Sequence, residues 1–260
     1  MKHGNACGAA VAQDASVVLQ RMIGGDPEAI FGGSVMTNFC LTEHLAEILL
    51  TAHLSSGRRL LDCVFVPEIT DGAIAMLRRK RDKCKVLVNP ALGCLGLQSL
   101  DTAPRIRQVR GGFLMQPNYR FVLRMDDPAL VNIGNVDTEQ MSSLLLAWAV
   151  GSTSNSNTIT LVRDSYLIGN GVGQQSRVSA AKLALMRARD AGHSPSGAVA
   201  YSDSFFPFID GPKILGEAGI RAVLTSSGSV NDAQVIKAFQ EWGVKVLMIP
   251  DKVGRGFSHH

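Results

Sequence analysis

Two spacings of apolar residues alternate along the chain, one typical of helices and one of buried strands. After Thr42, a residue able to cap a helix, Leu45, Ile48, Leu49 and Ala52 share one face at helical spacing. Between such segments lie short continuous apolar runs, which favour buried strands. Strands are predicted at 63–66, 85–88, 158–162, 166–168, 198–201, 221–224 and 244–249.

Capping residues predict where several helices begin and end. Asp137, with Gln140 three positions later, forms a capping-box variant that opens a helix running through Val150. Gly192 closes a long helix, as glycine often does at a helix C-terminus. Further helices are predicted at 71–81, 174–191 and 231–242, and 105–115 is predicted to be extended with a break at Gly111-Gly112.

Strands that alternate with helices indicate an α/β sandwich with a mainly parallel or mixed sheet. The segment 89–118 is rich in Gly, Pro and polar residues, which makes it the best candidate for a joint between two α/β subdomains. We therefore expect a first subdomain over residues 1–115 and a second over residues 116–260.

Composition indicates a compact protein with a substantial core, because 46% of the 260 residues are hydrophobic and 18% are charged. No apolar run approaches the roughly 18 residues of a membrane-spanning helix, and the first residues lack the apolar stretch of a secretory signal, so a cytoplasmic location is expected. Five cysteines at irregular spacings argue against a zinc site or a disulfide framework. The net charge of +4 fits anionic small-molecule substrates and does not require nucleic acid.

The densest basic run covers residues 78–81 and continues with Lys83 and Lys85. One interpretation is a nucleic-acid patch. The other is the solvated C-terminal end of a helix, where cations complement the helix dipole. We favour the solvated helix end, because no aromatic residues are interleaved with the charges.

Two segments in the first and middle parts of the chain carry candidate chemistry. Lys2-His3, beside two glycines, would supply a cation and a proton-exchanging group, unless it is a solvated chain start. The stretch 166–177 is a strand, a Gly-rich turn and a helix start, which either offers free N–H groups to an anion or is simply a tight turn. Its glycine spacing does not match the dinucleotide fingerprint, which disfavours a nicotinamide-dependent oxidoreductase.

Two further segments lie near the C-terminal end. The stretch 202–210 places three phenylalanines around a proline between two aspartates. Such a loop is either anchored into the core or forms a wall for a flat heterocycle, with a carboxylate for its N–H donors. The last residues, 255–260, are either a frayed tail or a phosphate clamp with a ring contact.

Together and in this order, the segments resemble the formyltransferase domain of the bifunctional enzyme that makes inosine monophosphate, the AICAR transformylase/IMP cyclohydrolase family. The matching residues run from position 2 to the end of the chain: Lys2-His3, Asp26, Phe31-Gly32, Asp62, Ser156-Asn157, Gly171 to Arg177, Ser202-Asp203 to Phe208, and Arg255 to His259. The Gly-Gln-Gln-Ser-Arg and Phe-Phe-Pro-Phe blocks are the most specific of these.

The resemblance implies two cytidine-deaminase-like three-layer α/β subdomains with mixed sheets, and a homodimer with active sites shared between subunits. It implies transfer of a formyl group from 10-formyltetrahydrofolate to the 5-amino group of 5-aminoimidazole-4-carboxamide ribonucleotide (AICAR), which gives FAICAR in IMP biosynthesis. It allows a monovalent cation and implies no transition metal, no nucleic acid and no membrane partner. The sequence agrees about zinc, since neither H-x-E nor P-C-x-x-C occurs in it.

Carried over by position, Lys2 and His3 become the catalytic pair, with Asn157 beside them. His3 would help to remove a proton from the attacking amine, and Lys2 would stabilise the oxyanion or protonate the leaving folate nitrogen, although the sequence does not decide which residue does which. The resemblance assigns the nucleotide pocket to Gly32, Asp62, Phe205, Arg255, Phe257 and His259. It assigns the folate side to Val178, Pro207, Phe208 and Asp210.

The chain departs from the family pattern in four places. The family carries a strand and an Arg-Tyr-Gly segment well upstream of Lys2, and its cyclohydrolase domain has no counterpart here. Ile209 stands where the family has Arg, and His260 is an additional residue. We therefore expect an N-terminally truncated form, with a non-catalytic or partner-dependent nucleotide- or folate-binding remnant as the alternative function.

Overall fold

A computed structural model describes residues 1–254, the side chain at position 82 excepted. The helices are α1 Ala15–Gly24, α2 Glu43–Thr51, α3 Asp71–Leu77, α4 Thr138–Gly151, α5 Arg177–Asp190, α6 Asp210–Glu217, α7 Asp232–Glu241 and α8 Asp251–Gly254. The strands are β1 Gly33–Met36, β2 Leu61–Val66, β3 Lys85–Val88, β4 Arg105–Val109, β5 Gly112–Gln116, β6 Val131–Ile133, β7 Ile159–Arg163, β8 Tyr166–Gly171, β9 Val199–Ser202, β10 Ala222–Ser227 and β11 Lys245–Pro250. Strands and helices alternate along most of this order, so the predicted α/β class is confirmed.

The first part of the chain folds around a parallel three-stranded sheet in the order β1-β2-β3. Val35, Val64 and Val66 from the strands enter one core with α1, α2 and α3. Leu49 of α2 and Ile23 of α1 are fully buried in it. One face of the sheet is therefore covered by helices from this part of the chain.

The other face of the three-stranded sheet shows apolar side chains to solvent. The strand register places Met36 beside Phe65, and Phe65 beside Leu87. Residues paired across neighbouring strands share a face, so the three form one strip, called the open-face row below. Met36 is 64% exposed and Leu87 is 45% exposed.

A two-stranded antiparallel hairpin, β4-β5, follows. Its turn contains Gly111, whose φ of +87° lies in the left-handed region that favours glycine. The predicted extended segment with a break at the paired glycines is thus confirmed. The hairpin's large apolar side chains are all well exposed: Ile106, Val109, Phe113, Leu114 and Met115.

The second part of the chain forms a six-stranded mixed sheet in the order β6-β11-β10-β9-β7-β8. Strands β9, β10 and β11 are parallel, β6 runs antiparallel to β11, and β7 runs antiparallel to both β8 and β9. The predicted mixed sheet is confirmed. The predicted boundary at residues 115/116 falls at the end of β5, between the two larger sheets, and the division into subdomains stays a prediction.

Both faces of the six-stranded sheet are covered, because side chains alternate between two cores along each strand. On β10, Val223 faces the core built with α5, α6 and α7, whereas Leu224 faces the core built with α4. On β9, Ala200 and Tyr201 alternate in the same way. This part of the molecule is a three-layer α/β/α sandwich.

The N-terminal segment ties the two parts together along β8. The Leu167 amide donates to the Ala9 carbonyl at 2.8 Å, and the Val11 amide donates to the Ser165 carbonyl at 2.9 Å. Nearby, the Arg21 guanidinium donates to the Asp164 carbonyl at 2.9 Å. The segment that carries Lys2 and His3 is therefore held against the six-stranded sheet.

The predicted caps are confirmed, whereas some helix ends differ. Thr42 caps α2, and Asp137 with Gln140 forms the capping box of α4. The helix predicted over 71–81 ends at Leu77, because Arg78 adopts ψ 131° and leaves the helical region. Helices α1, α6 and α8 and strands β1 and β6 were not predicted from the sequence.

The chain's cysteines and tryptophans fall in different parts of the structure. All five cysteines are free, and each precedes residue 100. Trp148 lies on α4 and Trp242 directly follows α7, so both tryptophans belong to the six-stranded part. No helix within residues 1–254 is long and apolar enough to cross a membrane.

Candidate active site

Several predicted site residues gather at one edge of the six-stranded sheet because of its topology. The parallel strands β9, β10 and β11 all end at this edge. Strand β7 runs the other way and begins there, since Ile159 pairs with both Ser202 of β9 and Gly171 of β8. The edge thus collects the loop before β7, the Gly-rich turn after β8 and the phenylalanine loop after β9, which is where α/β proteins usually bind ligands.

The Lys2-His3 pair sits on a tight hairpin turn. The Lys2 and Asn5 amides and carbonyls exchange two hydrogen bonds of 2.9 Å. His3 and Gly4 occupy the centre of the turn with φ of +49° and +79°, the combination of mirror-image hairpin turns. His3 is exposed and Lys2 half-buried, so both side chains are accessible from solvent.

This turn reaches the loop that contains Asn157. The Asn155 amide donates to the Asn5 side-chain carbonyl at 3.2 Å. Asn157 is held by the Gly-rich turn, because its backbone amide and its side-chain amide both donate to the Gln174 carbonyl, at 3.1 and 2.8 Å. The structure therefore links the turn that carries Lys2 and His3 to the loop that carries Asn157, through the hydrogen bond between Asn5 and Asn155.

The glycines of the Gly-rich turn serve packing as well as turning. A side chain at Gly169 or Gly171 would collide with backbone carbonyls of α5, which lies directly on β8. Gly173 has φ of +67°, as a tight turn requires. Two of the three glycines thus allow helix and strand to approach closely, and the third allows the turn.

A buried ion pair joins the Gly-rich segment to the phenylalanine loop. Arg177, the first residue of α5, donates to a carboxylate oxygen of Asp203, whose side chain is fully buried. The Arg177 Nε and the second Asp203 oxygen have no partner among the described residues. Both residues lie in motifs singled out from the sequence, but their pairing with each other was not predicted, because 26 residues separate them along the chain.

The phenylalanine loop is both anchored and exposed. Phe206 is 1% exposed and packs edge-on against Phe239 at a centroid distance of 5.5 Å. Phe205 is half-buried, and Phe208 is 63% exposed. The two interpretations of this loop therefore apply to different residues, because Phe206 anchors it while Phe208 and Pro207 remain available to a ligand.

The residues assigned to folate surround the starts of two helices. Val178 is half-buried in the first turn of α5, and exposed Asp210 is the first residue of α6. The Asp210 carboxylate accepts a hydrogen bond from the Gly211 amide at 2.8 Å, which leaves its other oxygen for a ligand. Pro207 is held by its carbonyl, which accepts from the Asn231 side chain at 2.7 Å.

Gly32 and Asp62, assigned to the nucleotide, lie together at the start of the three-stranded sheet. A side-chain carbon placed on Gly32 would stand 3.9 Å from the Asp62 Oδ2. One placed on the adjacent Gly33 would stand 3.5 Å from the Lys2 Cγ, so Lys2 borders this pair. Met1 exchanges two backbone hydrogen bonds with Ser34, of 2.8 and 2.9 Å, and thereby holds the turn next to β1.

A polar network that sequence analysis missed lies beneath the phenylalanine loop. Ser204 and Ser226 hydroxyls donate to one carboxylate oxygen of Asp251, at 3.3 and 2.8 Å.

Burial, reinforced by the nearby Asp203 charge, raises the pKa of Tyr201 well above its usual value, and burial raises the pKa of Tyr119 to about 12. Both tyrosines are therefore neutral hydroxyls at physiological pH.

The interpretation of the basic run, residues 78–81, as the solvated end of a helix is wrong. The run begins after α3 ends, so it is not the last turn of that helix, and Arg79 is not solvated like its neighbours. The Arg79 Nη1 donates to the Leu61 carbonyl at 2.9 Å and to the Asp62 Oδ1 at 3.0 Å. This contact could not be predicted from the sequence, because nothing local distinguishes Arg79 from the other cations of the run.

Three assigned residues, Arg255, Phe257 and His259, lie outside the described residues. Within residues 1–254, no group of three or more His, Cys, Asp or Glu side chains is arranged to hold a metal ion.

Comparison with known proteins identifies the family. The model of the family described as "AICARFT/IMPCHase bienzyme" matches residues 1–187. The chain belongs to this family. It is 31% identical over 255 residues to the bifunctional purine biosynthesis protein PurH of Caulobacter vibrioides, covering 98% of this chain and 46% of that protein. It is 32% identical over 247 residues to the PurH protein of Xanthomonas euvesicatoria pv. vesicatoria, covering 95% and 44%.

The chain thus spans about half the length of the AICARFT/IMPCHase relatives it matches. Among solved structures, a dCMP deaminase from cyanophage S-TIM5, in complex with dCMP and dUMP, has a TM-score of 0.34 and 17% identity, covering 44% of this chain and 100% of that one. A deaminase/reductase from Thermotoga maritima, named for a phosphoribosylaminopyrimidine, has a TM-score of 0.27 and 21% identity, covering 43% and 35%.

Proposed function

We propose that the chain is a phosphoribosylaminoimidazolecarboxamide formyltransferase. It transfers a formyl group from 10-formyltetrahydrofolate to the 5-amino group of AICAR and yields FAICAR for purine biosynthesis. Membership of the AICARFT/IMPCHase family supports the pathway. The observation that carries the reaction is the contact between the Lys2-His3 turn and the Asn155–Asn157 loop, at the sheet edge that also presents the phenylalanine loop.

This edge of the sheet presents the acid, base and positioning groups that formyl transfer requires. The amine nitrogen attacks the formyl carbon, a C–N bond forms, and the bond from the formyl carbon to the folate nitrogen breaks. The amine loses a proton and the folate nitrogen gains one, so the products are the formamide and tetrahydrofolate. Lys2 and His3 supply one basic and one acidic group for these transfers, and the Asn157 side chain, held by Gln174, orients the carboxamide of the substrate.

The two substrates approach from different sides of the turn. Gly32 and Asp62 lie on the side of β1 and β2, which suits the nucleotide. Phe208, Pro207 and Asp210 lie on the side of β9, where an exposed ring and a carboxylate suit a pterin with its N–H donors. Formyl transfer would take place between them, beside Lys2 and His3.

We further propose that the working form is a homodimer with shared sites. Two exposed apolar surfaces support it, the open-face row and the β4-β5 hairpin. Exposed apolar side chains that cluster on a protein surface often mark interaction sites. The assigned residues His3, Phe208 and Asp210 are also exposed, so a second copy would enclose them.

A cytoplasmic location is proposed because all five thiols are free, as expected in a reducing compartment.

The direct test is to incubate the full chain with AICAR and 10-formyltetrahydrofolate and to follow the formation of tetrahydrofolate. We expect turnover, and a roughly 10²–10⁴-fold loss of kcat in Lys2→Ala and in His3→Ala. Lys80→Ala and His44→Ala are matched controls at exposed positions and should keep wild-type rates.

A folded chain that shows no turnover would overturn the catalytic proposal. Calorimetry then separates the alternatives, because a nucleotide- or folate-binding remnant would still bind AICAR or the folate. Binding that survives in His3→Ala while turnover is lost would support the catalytic role of His3.

A further inference from the structure

Arg79 stands apart from the rest of the basic run. Residues 78–81 together line a shallow depression open to solvent, and the side chains of Arg78, Lys80 and Arg81 are exposed. The Arg79 side chain is 24% exposed and turns back towards β2. One nitrogen, Nη1, uses both of its hydrogens, donating to the Leu61 carbonyl and the Asp62 Oδ1.

The Leu61 contact determines where the guanidinium sits. Leu61 is buried in the first core and its carbonyl belongs to β2, so Arg79 is attached to the backbone of the strand that carries Asp62. An arginine can make both contacts at once because its planar group presents several N–H donors in a rigid arrangement. A lysine at this position would be a point charge on a flexible stem.

The Asp62 carboxylate is consequently held with one oxygen occupied and one available. Its side chain is 64% exposed and would be free to rotate without a partner. With Oδ1 on Arg79, Oδ2 faces the space beside Gly32, where the absence of a side chain leaves room for a ligand. The arrangement presents one charged acceptor in one direction.

We propose that Arg79 is a positioning residue for nucleotide binding, holding the Asp62 carboxylate so that Oδ2 accepts a hydrogen bond from an O–H or N–H group of the nucleotide. The inference rests on the proposed function, which supplies the nucleotide. Arg79 itself touches no reacting atom, so its loss should weaken binding and leave the chemical step intact.

The test uses the full chain with Arg79→Gln, and Arg78→Gln as a control that removes the same charge from the exposed neighbour. We expect KM for AICAR and its calorimetric Kd to rise about tenfold in Arg79→Gln, as for loss of one well-aligned charge-assisted hydrogen bond, with kcat within about twofold of wild type. Arg78→Gln should match wild type, and Arg79→Lys should recover part of the affinity. On an Asp62→Asn background, Arg79→Gln should have no further effect.

The outcomes separate this proposal from the proposed function. A wild-type chain that binds AICAR, with an unchanged Kd in Arg79→Gln, overturns the positioning role alone. Equal losses in Arg79→Gln and Arg78→Gln also overturn it, because general charge would then explain both. A folded wild-type chain that binds no AICAR overturns the proposed function, and the role of Arg79 with it. Urea unfolding of both variants checks that neither has lost its fold.

Discussion

The two larger sheets differ in how they are covered. The six-stranded sheet has a core on each face, so Val223 and Leu224 on one strand are both buried. Within residues 1–254, the three-stranded sheet has helices on one face, and Met36 and Leu87 of the open-face row are exposed on the other. The six-stranded part therefore buries both faces of its sheet, whereas the three-stranded part keeps an exposed apolar face, the surface that we propose as a dimer contact.

The largest effect is expected from removing the Phe206 ring, which anchors the phenylalanine loop in the core of the six-stranded part. Phe206→Ala should reduce the free energy of unfolding by about 3–5 kcal/mol, because it removes a fully buried ring beside Phe239 and leaves a cavity. Urea denaturation followed by tryptophan fluorescence measures the loss. Phe208→Ala is the matched control, which should change stability by less than about 0.5 kcal/mol while raising KM for the folate. Equal stabilities of the two variants would contradict the division of roles within the loop.

The next largest effect on stability is expected at the buried ion pair of Arg177 and Asp203. Asp203→Asn should cost about 3 kcal/mol, the lower end for breaking a buried pair, because it leaves the Arg177 cation without its counter-charge. Urea unfolding checks the value. Asp164→Asn removes one partner of an exposed pair with Arg163 and should cost less than about 1 kcal/mol. If Asp203→Asn reduced the free energy of unfolding as little as Asp164→Asn, water would have access to the Arg177–Asp203 pair in solution.

The third prediction concerns the open part of the molecule. Leu87→Lys should leave the free energy of unfolding of one subunit nearly unchanged but weaken dimerisation at least tenfold, since it places a charge in the open-face row. Sedimentation velocity over a range of concentrations measures the change. Val230→Lys, at a 99% exposed position in the six-stranded part, should not affect association. If both variants dimerise like wild type, another surface mediates the contact.

The smallest effect is expected at the start of α4. The backbone amide of Gln140, followed by the Lys245 ammonium, holds the pKa of Asp137 below its usual value of 3.8. A lowered carboxyl pKa stabilises the fold above the ordinary value, and that stabilisation is lost as pH falls through the lowered one. Asp137→Asn should therefore lower the melting temperature by about 1–2 °C at pH 7, and the difference should shrink as pH falls below 3.8. A difference that does not shrink at all as the pH is lowered would show that the charge is not its origin.

Sequence patterns predicted most of the fold because local chemistry determines much of it. Asp137 and Gln140 cap a helix wherever that helix packs, and the apolar run at β11 is buried in any α/β arrangement. Helix α6 was missed because Gly211 and Pro212 near its start argue against a helix. Proline is nevertheless tolerated in a first turn, and burial of Leu215 holds the helix in place.

The site was predictable as a set of segments but not as contacts. Nothing in the chain's composition distinguishes Phe206 from Phe208, since only the packing of α7 decides which ring is buried. The same is true of Arg79, whose partner Asp62 lies on a strand 17 residues earlier. Long-range pairing of this kind depends on the assembled sheets, and no local pattern encodes it.

Because the cysteines and the tryptophans lie in different parts of the molecule, the unmodified chain provides two separate signals for the unfolding of those parts. Indole emission comes only from the six-stranded part, where Trp148 and Trp242 lie. Thiol alkylation comes only from the first hundred residues, where burial raises the pKa of both Cys63 and Cys84 and slows their reaction until that region opens. Followed side by side during denaturation, the two signals would show whether the molecule melts as one cooperative unit or loses its smaller sheet first.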